Sequence, residues 1–144
     1  MKEMLLVGEL AGTRIALPAA EIRSVIGVET LAPVPHAPTH VAGLTAVRSQ
    51  ALTVIDSHAS LGLPAWRHQP GDCAAVIERG GHLYALLLDR VDDVRTASSV
   101  PVPVPGGHGA QWDGIALGMV DLDSGPALLL DAGAIASGNA RDPV

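Results

Sequence analysis

Two apolar runs, Cys73 to Glu78 and His82 to Leu88, are separated only by Arg79-Gly80-Gly81. A Gly-Gly pair supplies the positive φ angles of a tight turn, so this stretch specifies a β-hairpin. The same punctuation recurs. Glu3 to Leu10 and Arg14 to Leu17 flank Ala11-Gly12-Thr13, and Gly114 to Leu122 and Pro126 to Leu130 flank Asp123-Ser124-Gly125. Gly43 to Asp56 reads as two further strands, one ending at Arg48 and one starting near Ala51, joined by a polar turn at Ser49-Gln50. Leu44, Ala46, Leu52 and Val54 then alternate toward a core, and Arg48 closes its strand at a surface edge where its five-donor fork can meet a carboxylate or carbonyl. About nine or ten short strands with so little helix specify an all-β chain, a barrel or sandwich whose closure removes exposed edges.

The segments between are short. Pro18 can open a helix of at most two turns, with Glu21, Ile22, Val25 and Ile26 at spacings of three and four before Gly27 stops it, and Val28 to Leu31 follows as a strand. Three prolines make Ala32 to His40 an extended surface loop. Ser57 to Leu63 forms a helical turn capped by Asp56 or Ser57, and the polar loop Pro64 to Asp72, carrying Trp66, is the expected mobile middle of the chain. Val100 to Pro105 alternates Val and Pro and cannot be a central strand, Gly106 to Gly109 is flexible, and Ala132 to Ala136 is a short helix. Residues 1–138 read as a single domain, followed by a polar tail at 139–144. No repeat of fixed period is visible, although apolar runs ending in aspartate recur at Asp56, Asp89 and Asp131.

A net charge of −6 argues against binding a phosphate backbone, and 2% aromatic residues leave little on which bases could stack. No apolar run approaches the roughly 20 residues of a membrane-spanning helix, and the opening Met1 to Glu9 is too short and too polar for a signal peptide, so a cytoplasmic protein without membrane insertion is expected. The single cysteine, Cys73, excludes an internal disulfide and sits among apolar neighbours as a strand residue. With no Phe in the chain, Leu, Val, Ile and Ala must fill the core.

No catalytic constellation emerges. Leu129-Leu130-Asp131-Ala132-Gly133 resembles an aspartic-protease strand and Asp123-Ser124-Gly125 is a second near match, which would make the chain a small hydrolase using Asp131 or Asp123. Ala132 stands where a hydroxyl residue is needed, and a polar residue capping the end of a strand accounts for Asp131 as well. His36 and His40 have a zinc-ligand spacing, but Pro38 between them prevents the helix that would align them, and no metal site is expected. The Gly-rich pieces lack the context of a phosphate loop, and nothing nominates a base for Cys73.

Taken in order, these motifs resemble the CheW-like family, the scaffold proteins that couple chemoreceptors to a histidine kinase in bacterial chemotaxis. The resemblance runs through Glu21-Ile22, the Pro loop Ala32 to His40, the family motif Gly-Val-Ile-Asn-Leu-Arg-Gly with its Pro-Val-Ile-Asp strand on Gly43 to Asp56, the Val-Asp-x-Val element on Leu88 to Val94, and the closing hairpin Gly114 to Asp131. It implies two small five-stranded β-barrels sharing a hydrophobic core, no enzyme activity and no cofactor. It implies a groove between the barrels for the cytoplasmic tip of a chemoreceptor, lined by Ala19, Glu21, Gly43, Arg48, Cys73 and Val94, and contacts with the regulatory domain of a CheA-type kinase whose residues it does not identify. The motif's Asn is Ala46 here, its second Gly is Ser49 and its strand Pro is Thr53. Losing that Gly's freedom at positive φ opens the turn beside Arg48 to another shape, and the departures leave room for a regulatory module that sequesters one partner or serves a non-flagellar pathway.

Overall fold

The computed structural model describes residues 3–97, 101–103 and 109–138. Among these residues ten strands form two five-stranded sheets. The first is a closed barrel in the order β1 (Glu3–Leu10), β2 (Thr13–Pro18), β10 (Gly125–Leu130), β9 (Ala116–Leu122), β8 (Arg90–Ala97). The second runs β3 (Ser24–Val28), β6 (Asp72–Arg79), β7 (His82–Leu87), β5 (Gln50–Ile55), β4 (Val41–Val47), so β3 and β4 are its two edges. Each sheet joins a hairpin from one half of the chain to three strands from the other. Each also contains one parallel pair, β2 with β10 and β5 with β7.

The continuous apolar runs follow from this arrangement, because the central strands are buried on both faces. Along β6, Ala74 and Val76 point into the second sheet's own interior while Ala75 and Ile77 join the core shared by both sheets. In β10, Ala127 and Leu129 fill the first barrel while Leu128 and Leu130 face the shared core. Five strands enclose a narrow lumen, which Leu, Val and Ala fill, as the absence of Phe requires. Trp112, 3% exposed, is buried in the shared core, and Trp66 and Tyr84 pack against it from partly exposed positions.

The hairpins expected at Gly80-Gly81, Ala11-Gly12 and Asp123-Ser124 are present. Two other expectations are corrected, and a repeat without a fixed period emerges. Val25 and Ile26 belong to β3 and not to a helix begun at Pro18. Only the 3₁₀ turn Ala19–Glu21 precedes that strand, because β6 offers Ser24–Val28 a ladder. The loop before β6 is tied down: Trp66 donates its backbone N–H to Asp56 Oδ2 (2.8 Å) and its indole N–H to Asp72 Oδ2 (3.0 Å), and its ring lies over His58. Finally, the chain repeats in space. β4 and β5 (Val41–Val47, Gln50–Ile55) recur 75 residues later as β9 and β10 (Ala116–Leu122, Gly125–Leu130), and β1 and β2 (Glu3–Leu10, Thr13–Pro18) recur 69 residues later as β6 and β7 (Asp72–Arg79, His82–Leu87).

The repeat explains two of the recurring aspartates. Asp56 caps α1 (Ser57–Ser60) by accepting from Ala59 N at 3.0 Å, and Asp131 caps α2 (Ala132–Ala136) by accepting from Ala134 N at 3.2 Å. Asp89 instead clamps the β1–β2 turn, accepting from Ala11 N at 2.7 Å and lying 3.1 Å from His58 Nε2. Of the Val-Pro segment, 101–103 is described, with Val102 bridging Met119; its remainder, Gly106 to His108 and the tail at 139–144 lie outside the described residues.

Candidate docking site

Val47 pairs with Gln50, so the β4–β5 hairpin has a two-residue loop made of Arg48 and Ser49. Both are left-handed, at φ 52° and 67°, the geometry of a type I′ turn that matches the twist of the flanking strands. Ser49 therefore keeps the turn shape that a glycine would favour. The loop lies one residue earlier than the expected Ser49-Gln50, and β4 presents the opposite face to the core. Gly43 and Thr45, paired with Val54 and Leu52, point inward, while Leu44 and Ala46 are exposed. A one-residue slip exchanges the faces of a strand. Thr53, in place of the motif's proline, lies between Leu44 on β4 and Tyr84 on β7, where a ladder runs on both sides.

Arg48 is exposed on the rim of a slot of about 440 Å³ between the edges of β3 and β4. Val25 and Ile26 of β3, Val47 of β4, Leu52 of β5 and Leu83 of β7 line it; every lining residue comes from the strands of the second sheet, from the turns of its two hairpins, or, as Arg23, from just before β3. The crevice at Arg48 therefore lies within the second sheet and not between the barrels. Arg48 has no ion pair or side-chain hydrogen bond among the described residues. The nearby carboxylate of Glu78 is paired with Arg23.

That ion pair separates the slot from a neighbouring cavity of about 520 Å³, which Glu21 lines with Ile77 and Arg79. Arg79 Nη2 is 3.7 Å from Glu21 and 4.0 Å from Asp131, and it lies over Gly133, where an added Cβ would come within 2.4 Å of it. Exposed pairs of this kind add little to stability, but they leave a row of alternating charges, Arg48, Glu78, Arg23, Glu21 and Arg79, around one end of the second sheet.

The structure thus brings Arg48 and Glu21 to adjacent cavities, with Ala19 on the same 3₁₀ turn as Glu21. It does not bring the other nominated residues there. Gly43 is buried at a bulge toward the far end of β4, where a Cβ would lie 2.5 Å from the carbonyl oxygen of Ala32. Cys73, near the start of β6, donates its S–H to the carbonyl of Leu88 at 3.2 Å. Burial is the main cause pushing its thiol pKa up, with Asp72 and Asp89 acting in the same direction against opposing backbone hydrogen bonds. Val94 is exposed on β8 of the first barrel. Asp123 is an exposed turn residue 4.0 Å from Arg95, apart from the helix cap and Arg79 that occupy Asp131. Residue spacing missed Arg23, Glu78 and Arg79. The only signal for them was position, since Glu78 and Arg79 precede a Gly-Gly turn much as Arg48 begins its own.

Among the described residues, no helix is long and apolar enough to cross a membrane. The fold is similar to that of the scaffolding protein TtCheW from Thermoanaerobacter tengcongensis, with a TM-score of 0.77 over 94% of this chain and 88% of that one, at 18% identity. A protein of Rhizobium meliloti (strain 1021), described as chemotaxis protein CheW, is 31% identical over 85 residues, an alignment covering 58% of this chain and 55% of that protein's length. The family model of the CheW-like domain matches residues 4–139. With its ordered motifs and its two five-stranded sheets, the chain belongs to the CheW-like domain family.

Proposed function

We propose that this protein is a non-catalytic adaptor that couples chemoreceptors to a CheA-type histidine kinase in bacterial chemotaxis. In this reading it acts in the cytoplasm and is recruited to membrane-associated receptor arrays. Holding two partners at once raises their effective local concentration without any bond being made or broken. The observation that carries the reading is Arg48: a family motif residue, raised on a tight turn beside an open slot and without a carboxylate partner among the described residues. A charge-assisted contact at that guanidinium would fix the register of a docked receptor, while apolar contacts supply most of the affinity. Glu21 and Ala19 extend the same receptor-facing surface; Gly43, Cys73 and Val94 belong to the set proposed from the family motif.

Capture experiments with a receptor cytoplasmic fragment alone, a kinase regulatory domain alone and both together test the reading. A ternary complex is expected. Binding of one partner that excludes the other would replace coupling with sequestration. Arg48→Glu is expected to weaken the receptor complex by about 1–3 kcal/mol. Equal affinities for the two proteins in calorimetric titration would remove Arg48 from the site.

A further inference from the structure

The two sheets share a plan, so the closed one shows what the open one lacks. Ala97 of β8 faces Glu3 on β1 as Val28 of β3 faces Asp72 on β6, and Arg95 faces Leu5 as Ile26 faces Ala74. On the other side of the seam, Leu122 and Asp123 of the first barrel occupy the places of Val47 and Arg48 in the second sheet. In the first barrel, Ala97 pairs with Leu122 and Arg95 lies 4.0 Å from Asp123, so backbone and charge both close the seam. In the second sheet no ladder joins β3 to β4. The counterpart of Arg95 is the uncharged Ile26, Arg48 faces no free carboxylate among the described residues, and the slot of about 440 Å³ lies where the closure would be.

The β4 edge has room for a ladder. Leu44 exchanges backbone hydrogen bonds with Ala32 at 2.8 Å in both directions, so its N–H and C=O face away from β5. By the alternation of a strand the groups of Ala46 face the same way, and among the described residues no strand pairs with β4 there. An extended chain laid along such an edge gains main-chain hydrogen bonds, and pockets select its alternate side chains. Val25, Ile26, Val47, Leu52 and Leu83 supply the apolar part of the slot's lining, Ser24, Gln50 and the paired Arg23 and Glu78 supply a polar part of similar extent, and Arg48 adds a positive charge that has no ion pair among the described residues.

We propose that the slot is a peptide-docking site: an extended segment of a partner protein, with apolar residues at alternate positions and one carboxylate, adds as a strand along β4 and sets that carboxylate against Arg48. The proposal rests on Arg48 being a docking residue and adds the form of its occupant.

Fluorescence anisotropy of the full chain with three labelled octapeptides tests it. One alternates valine and threonine with a single central glutamate, the second has lysine in place of the glutamate, and the third is the glutamate peptide N-methylated at its four central residues. The glutamate peptide is expected to bind saturably and the N-methylated one not to bind. Arg48→Glu should weaken the glutamate peptide at least tenfold and reverse the preference toward lysine, and Ala46→Pro should weaken both. Should Ala46→Pro disturb the fold, amide exchange on the unaltered protein replaces it, with protection of the Ala46 N–H expected only when the glutamate peptide is present. Absence of saturable binding, or binding that N-methylation leaves unchanged, would overturn the proposal. So would a dimer in sedimentation that Arg48→Glu dissolves, since a second copy would then occupy the face. Loss of receptor-fragment binding in Arg48→Glu with no peptide effect would sink the strand site and leave the adaptor reading intact; the converse would do the reverse.

Discussion

Replacing Ser49 by glycine should stabilise the protein. Arg48 and Ser49 both sit at positive φ, and a left-handed conformation costs a residue with a Cβ on the order of 1–2 kcal/mol. Glycine relieves that cost at position 49, but its unfolded chain has more freedom to lose, roughly 0.5–1 kcal/mol. The net gain is about 0.5–1 kcal/mol, equivalent to a rise in Tm of about 2–4 °C for a domain of this size. Urea unfolding followed by the fluorescence of Trp66 and Trp112 measures it, and the midpoint should rise with no change in slope. The fold contains its own control, because Ser124 occupies the equivalent place in the β9–β10 turn and is not among the residues at positive φ. Ser124→Gly should therefore destabilise, through the chain-entropy cost and the loss of its hydroxyl contact with Arg14. If both glycine variants shift the midpoint in the same direction, the assignment of strain to the Arg48-Ser49 turn is refuted.

The two capping aspartates should differ in cost. Asp56→Ala strands two backbone donors beside a residue only 4% exposed and should lose about 2–4 kcal/mol, whereas Asp131→Ala removes one cap and should lose about 1 kcal/mol, both read by urea midpoints. Gly43→Ala drives a Cβ into the Ala32 carbonyl, breaks the bridge to Leu44 and should cost about 1–3 kcal/mol by the same assay, while Gly43→Ala with an unchanged midpoint would contradict that geometry. Cys73 holds its proton more firmly folded than unfolded, so its contribution to stability is present below the unfolded thiol's pKa and is lost as pH rises through the folded value. Its alkylation by iodoacetamide should reach half-maximal rate at a higher pH than that of a free cysteine; an equal or lower midpoint would contradict the burial.

Hairpins marked by glycine were legible because their chemistry is local: Gly80-Gly81 and Ala11-Gly12 turn where the residues say they should. Arg48-Ser49 was misplaced by one residue because neither side chain advertises positive φ, and that slip inverted the expected faces of Leu44 and Ala46. The short run Val25-Ile26 fits helix and strand equally in isolation, and only a partner strand decides between them. The repeat escaped notice because its two offsets differ, 75 and 69 residues, and because its two turns carry opposite charges, Arg48 and Asp123. Of the site, Arg48 and Glu21 were reachable through motif position. Arg23 and Glu78 read as ordinary solvated charges until the fold set them at the mouth of the slot.

The same internal comparison separates what holds this protein together from what it offers to others. Asp123 has Arg95 within reach across a seam that the backbone also closes, so its charge belongs to the barrel. Arg48 occupies the matching place beside an open seam, makes no ion pair among the described residues, and is exposed, so folding gains nothing from its guanidinium. A charge that contributes nothing to folding can be reversed without a stability cost. Arg48→Glu keeps the same backbone demand at its turn and should leave the unfolding free energy within about 0.5 kcal/mol of the unaltered protein. A larger loss on chemical denaturation would mean that the guanidinium is committed internally, and the case for Arg48 as a docking residue would fall with it.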